Sequence, residues 1–165
     1  MVLKELSIND GQDIYDMLQR IGPSENAFRN DVNGMTYQQY KEWLDLQAAW
    51  ARGERLPDGY VKQWTYWLYD GDVPVGYGKL RERVTEQSKK FGGNLGFALD
   101  PLARGKGFGN VGIALLLKQA KENGIKEIFS TCEKYNYKSK FMQEKNGAKL
   151  VNEDNERWYF IFKIA

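Results

Sequence analysis

The sequence predicts an α+β chain, a mixed sheet covered by helices. Three observations predict it. Helical and strand periodicities follow one another as strand, two helices, three strands, helix, strand, helix and two strands. That order is neither a strict βα alternation nor an all-β pattern. The chain of 165 residues is 42% hydrophobic and 14% aromatic, too apolar for disorder and of the usual size for one domain, here 1–165. No internal repeat, low-complexity segment or linker divides it.

Val2 to Ile8 alternates weakly and reads as a first strand. Asn9 with Gln12 forms a capping-box pattern opening a helix, in which Ile14, Met17, Leu18 and Ile21 share a face before Gly22-Pro23 stops it. Residues 22–35 are rich in Gly, Asn, Ser and Asp and read as a loop. Thr36 with Gln39 repeats the capping box; Tyr40, Trp43, Leu44 and Ala51 line a second helix that ends near Gly53. Val61 to Tyr69, dense in Trp, Tyr and Thr, favours a strand. Asp70-Gly71 is a hairpin turn, and Val73 to Val84 returns. Residues 86–93 read as a polar loop, and 94–100 as a short strand closed by Pro101. The apolar helix Val111 to Asn123 stops at Gly124. Then come a strand 125–133, a short helix 137–145, and strands 149–153 and 157–164. The last alternates Trp158, Phe160, Phe162 and Ile164 on one face.

Composition excludes whole chemistries. There is no His, which removes Ser-His-Asp and Cys-His catalysis and any imidazole-dependent zinc site. The single Cys132 excludes an intrachain disulfide and an all-cysteine cluster, and as a buried strand residue it has no evident reactivity. No metal is expected. The net charge of +2 predicts no nucleic-acid partner. The N-terminus has no signal-peptide pattern and no segment is apolar enough for a membrane span, so a cytoplasmic location is expected. Acidic residues outnumber basic ones over 1–100, and the reverse holds over 101–165. This split is either ordinary surface variation or an anion site in the C-terminal part with a cationic ligand near the N-terminal part.

The stretch from Leu99 to Asn110 carries the chemistry. Between a strand and a helix, Arg104, Gly105, Lys106, Gly107, Phe108 and Gly109 place three glycines in five residues. Glycine admits positive φ, so successive backbone N–H groups can converge on an anion. The helix start adds unpaired N–H groups and its dipole, and Arg104 and Lys106 add charge. The pattern is neither a Walker loop nor a G-x-G-x-x-G fingerprint. A merely structural glycine turn is the plain alternative to a diphosphate cradle.

Arg104-x-x-Gly107-x-Gly109 resembles the R/Q-x-x-G-x-G/A motif of the GNAT superfamily of N-acetyltransferases. Asn136-x-x-Ser139 with Glu144 to Gly147 resembles that family's second cofactor-side segment. Together with Gly92 to Phe97 and Thr131-Cys132-Glu133, the chain is similar to a bacterial branch of predicted acetyltransferases. The resemblance implies a three-layer α/β/α fold with a splayed central strand pair, 94–100 beside 125–133. It implies acetyl-CoA as co-substrate and a small-molecule or peptide amine as acceptor. Phe97, Ala98 and Leu99 would line the splayed edge, residues 104–109 would hold the pyrophosphate, and Asn136 and Ser139 would meet the pantetheine arm.

The resemblance also exposes a departure. Gln143 stands where the family commonly has a proton-donating tyrosine; Tyr135 and Tyr137 are near in sequence only. Relatives carry histidines at the positions of Glu82 and Asn94. Glu82, between Arg81 and Arg83, is either the base or a surface ion pair. Glu133 is a further candidate, or a cap on the helix after it. Glu25 and Asn26 would hold the acceptor amine. Trp64, Tyr66 and Trp67 are sheet packing or an acceptor cage. A catalytically silent acyl-CoA-binding module and a structural or partner-binding domain are the alternatives to an enzyme. A homodimer paired through an exposed C-terminal strand is a further expectation.

Overall fold

The computed structural model describes residues 1–25, 27–90 and 92–164. Its elements are β1 (Val2–Glu5), α1 (Gln12–Arg20), β2 (Ser24–Glu25), β3 (Phe28–Arg29), α2 (Tyr37–Ala51), β4 (Gln63–Asp70) and β5 (Val73–Arg81). After these come α3 (Glu86–Lys90), β6 (Leu95–Leu99), α4 (Phe108–Glu122), β7 (Glu127–Glu133), α5 (Tyr137–Lys145), β8 (Lys149–Glu153) and β9 (Arg157–Lys163). Two antiparallel sheets result, ordered β1-β4-β5-β6 and β7-β9-β8, with β2 and β3 forming a separate small hairpin.

Strand alternation puts helices on both faces. On one side, Tyr66 and Leu80 pack with Ile113, Leu116 and Ala120 of α4 and with Trp158, Phe160 and Phe162 of β9. On the other, Trp67 and Tyr77 pack with Ile14, Met17 and Leu18 of α1 and Tyr40, Trp43 and Leu44 of α2. Neighbouring residues of one strand thus belong to opposite cores, as a period of two requires. Trp64, Tyr66 and Trp67 pack in these layers. The alternation of Trp158, Phe160 and Phe162 is buried as expected.

Among the described residues, one backbone bridge joins the two sheets. Gly93 bridges to Ser130, and beyond it β6 and β7 share no ladder. A Cβ on Gly93 would lie 1.9 Å from the Phe129 carbonyl oxygen, so only glycine permits the approach. Asn94, fully buried, clamps the joint. Its backbone N–H donates to the Phe129 carbonyl at 2.9 Å, and its Oδ1 accepts from the Phe129 N–H at 2.7 Å. Its Nδ2 reaches the Arg81 and Glu127 carbonyls, each at 3.4 Å. The expected splayed pair is therefore present, hinged at a carboxamide.

Several local expectations need correction. α1 begins after Gly11, not Asn9, with no side-chain cap. Gln12 turns instead to Asp16 at 2.8 Å, and Asp10 is taken by the Ser7 N–H and the Trp67 indole. The second capping box, Thr36 with Gln39, forms in full. The loop 22–35 contains the β2–β3 hairpin, and the loop 86–93 contains α3. α4 starts at Phe108 rather than Val111. The final strand, β9, is central in its sheet; the exposed edge is β8. Pairing of two copies through the last strand is thus blocked by β8.

Candidate active site

A cleft of about 1030 Å³ opens where β6 and β7 part. It runs from the loop before α4, past β6 and the first turn of α5, to β5, α2 and the β2–β3 hairpin. Phe97, Ala98, Leu99, Arg104, Gly105, Gly107, Phe108, Gly109, Asn136 and Ser139 all line it, so the structure brings these sequence-derived positions together. Lys106 does not line it; its ammonium lies 6.0 Å from the Phe108 ring. Asn26 lies outside the described residues.

The loop is built from a fixed base. Asp100, buried at the end of β6, caps a single 3-10 turn (Pro101–Ala103) by accepting from the Leu102 N–H at 3.0 Å. Its other oxygen takes Arg20 of α1 at 2.7 and 2.9 Å. The hydrogen bonds that Arg20 donates to Asp100 are the main cause holding its guanidinium above its ordinary pKa. Gly105 and Gly107 then adopt φ of +81° and +78°. Among the described residues, no backbone N–H from Arg104 to Gly107 donates to a protein acceptor. Nothing lies within 4 Å of a Cβ placed on either glycine. An open run of unpaired N–H groups at the start of a 15-residue helix is what an anion requires.

Other glycines serve packing. Phe97 points its ring between Gly76 and Gly112; a Cβ on these would come within 2.9 and 2.4 Å of it. Gly109 lets Met142 of α5 approach, since a Cβ there would meet its sulfur at 2.7 Å. The sequence motif thus has two jobs: Gly105 and Gly107 shape the loop, and Gly109 brings α5 against α4. Gly112, inside a helix where glycine is costly, was the available signal for a close approach.

On the α5 side, Asn136 is the helix N-cap, its side-chain oxygen accepting from the Ser139 N–H at 3.3 Å. Gln143 is buried, accepting from the Ser130 hydroxyl and donating to Ser139 Oγ at 3.3 Å. It serves as a polar tie between β7 and α5. Tyr135 and Tyr137 are exposed and gather around Trp158, away from the cleft. Burial pushes the Cys132 thiol up, which removes it as a thiolate nucleophile.

The carboxylates stand differently from the sequence expectation. Glu82 is exposed, faces Arg83 at 3.4 Å and is not among the cleft-lining residues, the position of a surface ion pair. Glu133 is exposed and caps nothing with its side chain, since Asn136 holds that role. Glu25 does line the cleft, but its carboxylate is taken by Arg104 at 2.6 Å, tying the β2–β3 hairpin to the loop. On the same wall lie two residues that sequence reading passed over or treated only as flanking charge, Lys79 and Arg81. Lys79 is buried with its ammonium donating to the Arg29 carbonyl. Burial, with Arg81 nearby, pushes it down to about 7. Arg81 donates to the Gly93 carbonyl at 2.9 Å, and burial lowers its pKa as well. The signal for both was the strand period, which sets Tyr77, Lys79 and Arg81 on one face.

Residues 13–148 match the Acetyltransferase (GNAT) family. Among curated proteins, no sequence matches the chain. Solved structures agree in fold. The ribosomal L7/L12 alpha-N-protein acetyltransferase RimL in complex with coenzyme A superposes with a TM-score of 0.72 at 14% identity, covering 98% of this chain and 93% of that one. A GNAT-family acetyltransferase from Streptococcus pneumoniae gives 0.68 at 13%, covering 99% of each chain. The Campylobacter jejuni N-acetyltransferase PseH in complex with acetyl coenzyme A gives 0.64 at 12%, again covering 99% of each.

Proposed function

Because the chain belongs to the Acetyltransferase (GNAT) family, we propose that it transfers an acetyl group from acetyl-CoA to a primary amine by direct attack, as a single domain over 1–165. The observation that carries this reading is the run of unpaired N–H groups from Arg104 to Gly107, set against the start of α4 at the mouth of the splayed strands. Those N–H groups, with Phe108 and Gly109, hold the diphosphate; Arg104, itself paired with Glu25, and Lys106, outside the cleft lining, add positive potential only from a distance. β6 is the edge of its sheet, so Phe97, Ala98 and Leu99 offer backbone groups to the amide-bearing pantetheine arm. Asn136 and Ser139 face that arm from α5. RimL and PseH, similar in fold, are described with coenzyme A and acetyl coenzyme A respectively.

Acetyl-CoA supplies a thioester that is already activated. The chain's part is to orient it, to polarise the carbonyl with an N–H of β6, and to admit a neutral amine. Of the lining carboxylates, Glu25 is paired with Arg104 and Asp31 with Arg29 at 2.8 Å. We therefore assign removal of the amine proton to solvent in the open cleft rather than to Glu82. Gln143 donates no acidic proton; a thiol that titrates around 8.5 leaves as thiolate near neutral pH. Glu25 acts on the acceptor side through the Arg104 tie. A cytoplasmic location goes with this reading; no helix among the described residues is long and apolar enough to cross a membrane. If two copies pair, β8 is the strand edge they share.

Calorimetry with acetyl-CoA on the wild type and on Gly107→Glu tests the site. Binding by the wild type and loss in the variant are expected, since a carboxylate would enter the cradle. Equal affinity in both would refute the loop assignment. Thiol release across a panel of amines then separates the enzyme from a silent acyl-CoA-binding module, which binds without release.

A further inference from the structure

The β5 wall of the cleft carries two cations that acetyl transfer alone leaves without use. Lys79 and Arg81 stand two residues apart on β5 and line the same cleft as the loop before α4. Lys79 is 8% exposed, and its ammonium meets one carbonyl and the faces of Phe28 and Tyr77, at 4.5 and 5.1 Å. Arg81 spends one amino group on the Gly93 carbonyl. Among the described residues neither makes an ion pair, and the two carboxylates that line the cleft are already bound to Arg104 and Arg29. A buried Lys79 and a half-buried Arg81 without counter-ions are unfavourable, and a ligand that brings the anion relieves that cost.

The diphosphate is a poor candidate for this role. Lys79 pairs in register with Gly96, and the Arg81 N–H donates to the Asn94 carbonyl, both at the beginning of β6. The loop of unpaired N–H groups follows the other end of that strand. Around the two cations the wall is built for a small molecule with both polar and apolar parts. Gln63 donates to Gln47 at 3.3 Å, and Trp43, Trp50 and Tyr60 complete it. A guanidinium and an ammonium side by side match the oxygens of a carboxylate or a phosphate ester.

Resting on the acetyl-transfer reading, we propose that the acceptor is a primary amine carrying its own acidic group, a carboxylate or phosphate, held by Lys79 and Arg81. This reverses the cationic acceptor that the acidic balance of residues 1–100 had pointed to. Those acidic residues lie for the most part outside the cleft, where Glu25 and Asp31 are the carboxylates among the lining residues.

Thiol release should be measured with matched pairs: amino acids of apolar, hydroxyl and acidic side chain against their amides, and 2-aminoethyl phosphate against ethanolamine, with spermidine alongside. For at least one pair the acidic member should show a kcat/KM higher by about tenfold or more. Lys79→Met should erase most of that advantage, and Arg81→Lys should reduce it. Whether carboxylates or phosphates win separates the two acidic groups. Preference for amides or spermidine overturns the proposal and leaves acetyl transfer standing. A readout independent of turnover is the thermal midpoint with coenzyme A present, comparing N-acetyl amino acids with their amides. Stabilisation by an acid alone, lost in Lys79→Met, supports the proposal even if no amine in the panel reacts. Equal or absent shifts across the panel overturn it.

Discussion

Asn94→Ala tests the idea that a single carboxamide hinges the two sheets. The substitution removes the 2.7 Å bond accepted from the Phe129 N–H and two weaker contacts at 3.4 Å. Asn94 is 1% exposed, so water cannot readily replace the lost acceptor. Leaving a buried N–H unsatisfied costs about 1–3 kcal/mol, and the long contacts add little. The backbone bond from the Asn94 N–H to Phe129 survives, which keeps the joint formed. We expect a loss of about 2 kcal/mol, equivalent to about 4–8 °C in Tm for a chain of this size. Urea unfolding followed by tryptophan fluorescence measures it, as a lowered midpoint with unchanged slope. Acetyl-CoA affinity should fall as well, because the splay angle rests on this joint. A stability change below about 0.5 kcal/mol, the range of ordinary surface substitutions, would refute the hinge.

Gly112→Ala should destabilise despite alanine's advantage in helices. The gain of at most about 1 kcal/mol competes with a Cβ placed 2.4 Å from the Phe97 ring, which Gly76 confines on its other side, and overpacking costs about 1–3 kcal/mol; a raised thermal midpoint would contradict it. Lys79 supplies a pH signature. Its folded pKa of about 7 lies below the ordinary 10.5, so between these values the unfolded chain binds more protons and stability rises with pH. Lys79→Met should flatten the rise measured between about pH 7.5 and 9.5; an unchanged slope would show that the ammonium is not buried as described. Glu82→Gln should leave kcat and KM for acetyl transfer unchanged, because Glu82 is exposed and off the cleft; slowed transfer would return it to the candidates for the base.

Elements with their own period could be read before the fold was known. The α2 face, the capping box of Thr36 and Gln39, and the buried alternation in β9 repeat within a few residues. The glycine-rich loop was legible for the same reason, since its three glycines and the helix start lie within one short segment. The β2 and β3 strands were not, because two-residue strands have no period to detect. Asn9 misled because it lies inside a turn, closed by the Asp10 N–H on the Ser7 carbonyl, and the helix begins only after Gly11. Glu25 is legible as a loop carboxylate, whereas its partner Arg104 lies 79 residues away, beyond any local pattern.

By itself, the sequence determined most of the helices and longer strands, the two-faced strands, the glycine-rich turn before α4 and the absence of histidine. These follow from side-chain spacing and type, which act over a turn or two of chain. The tertiary structure alone decided that β9 lies between β7 and β8, that Gly93 and Asn94 join the sheets, and that Glu82 faces solvent. It also decided that Lys79 and Arg81 share a wall with no ion-pair partner among the described residues. Strand order and charge burial depend on contacts between distant segments, whose partners no local spacing encodes.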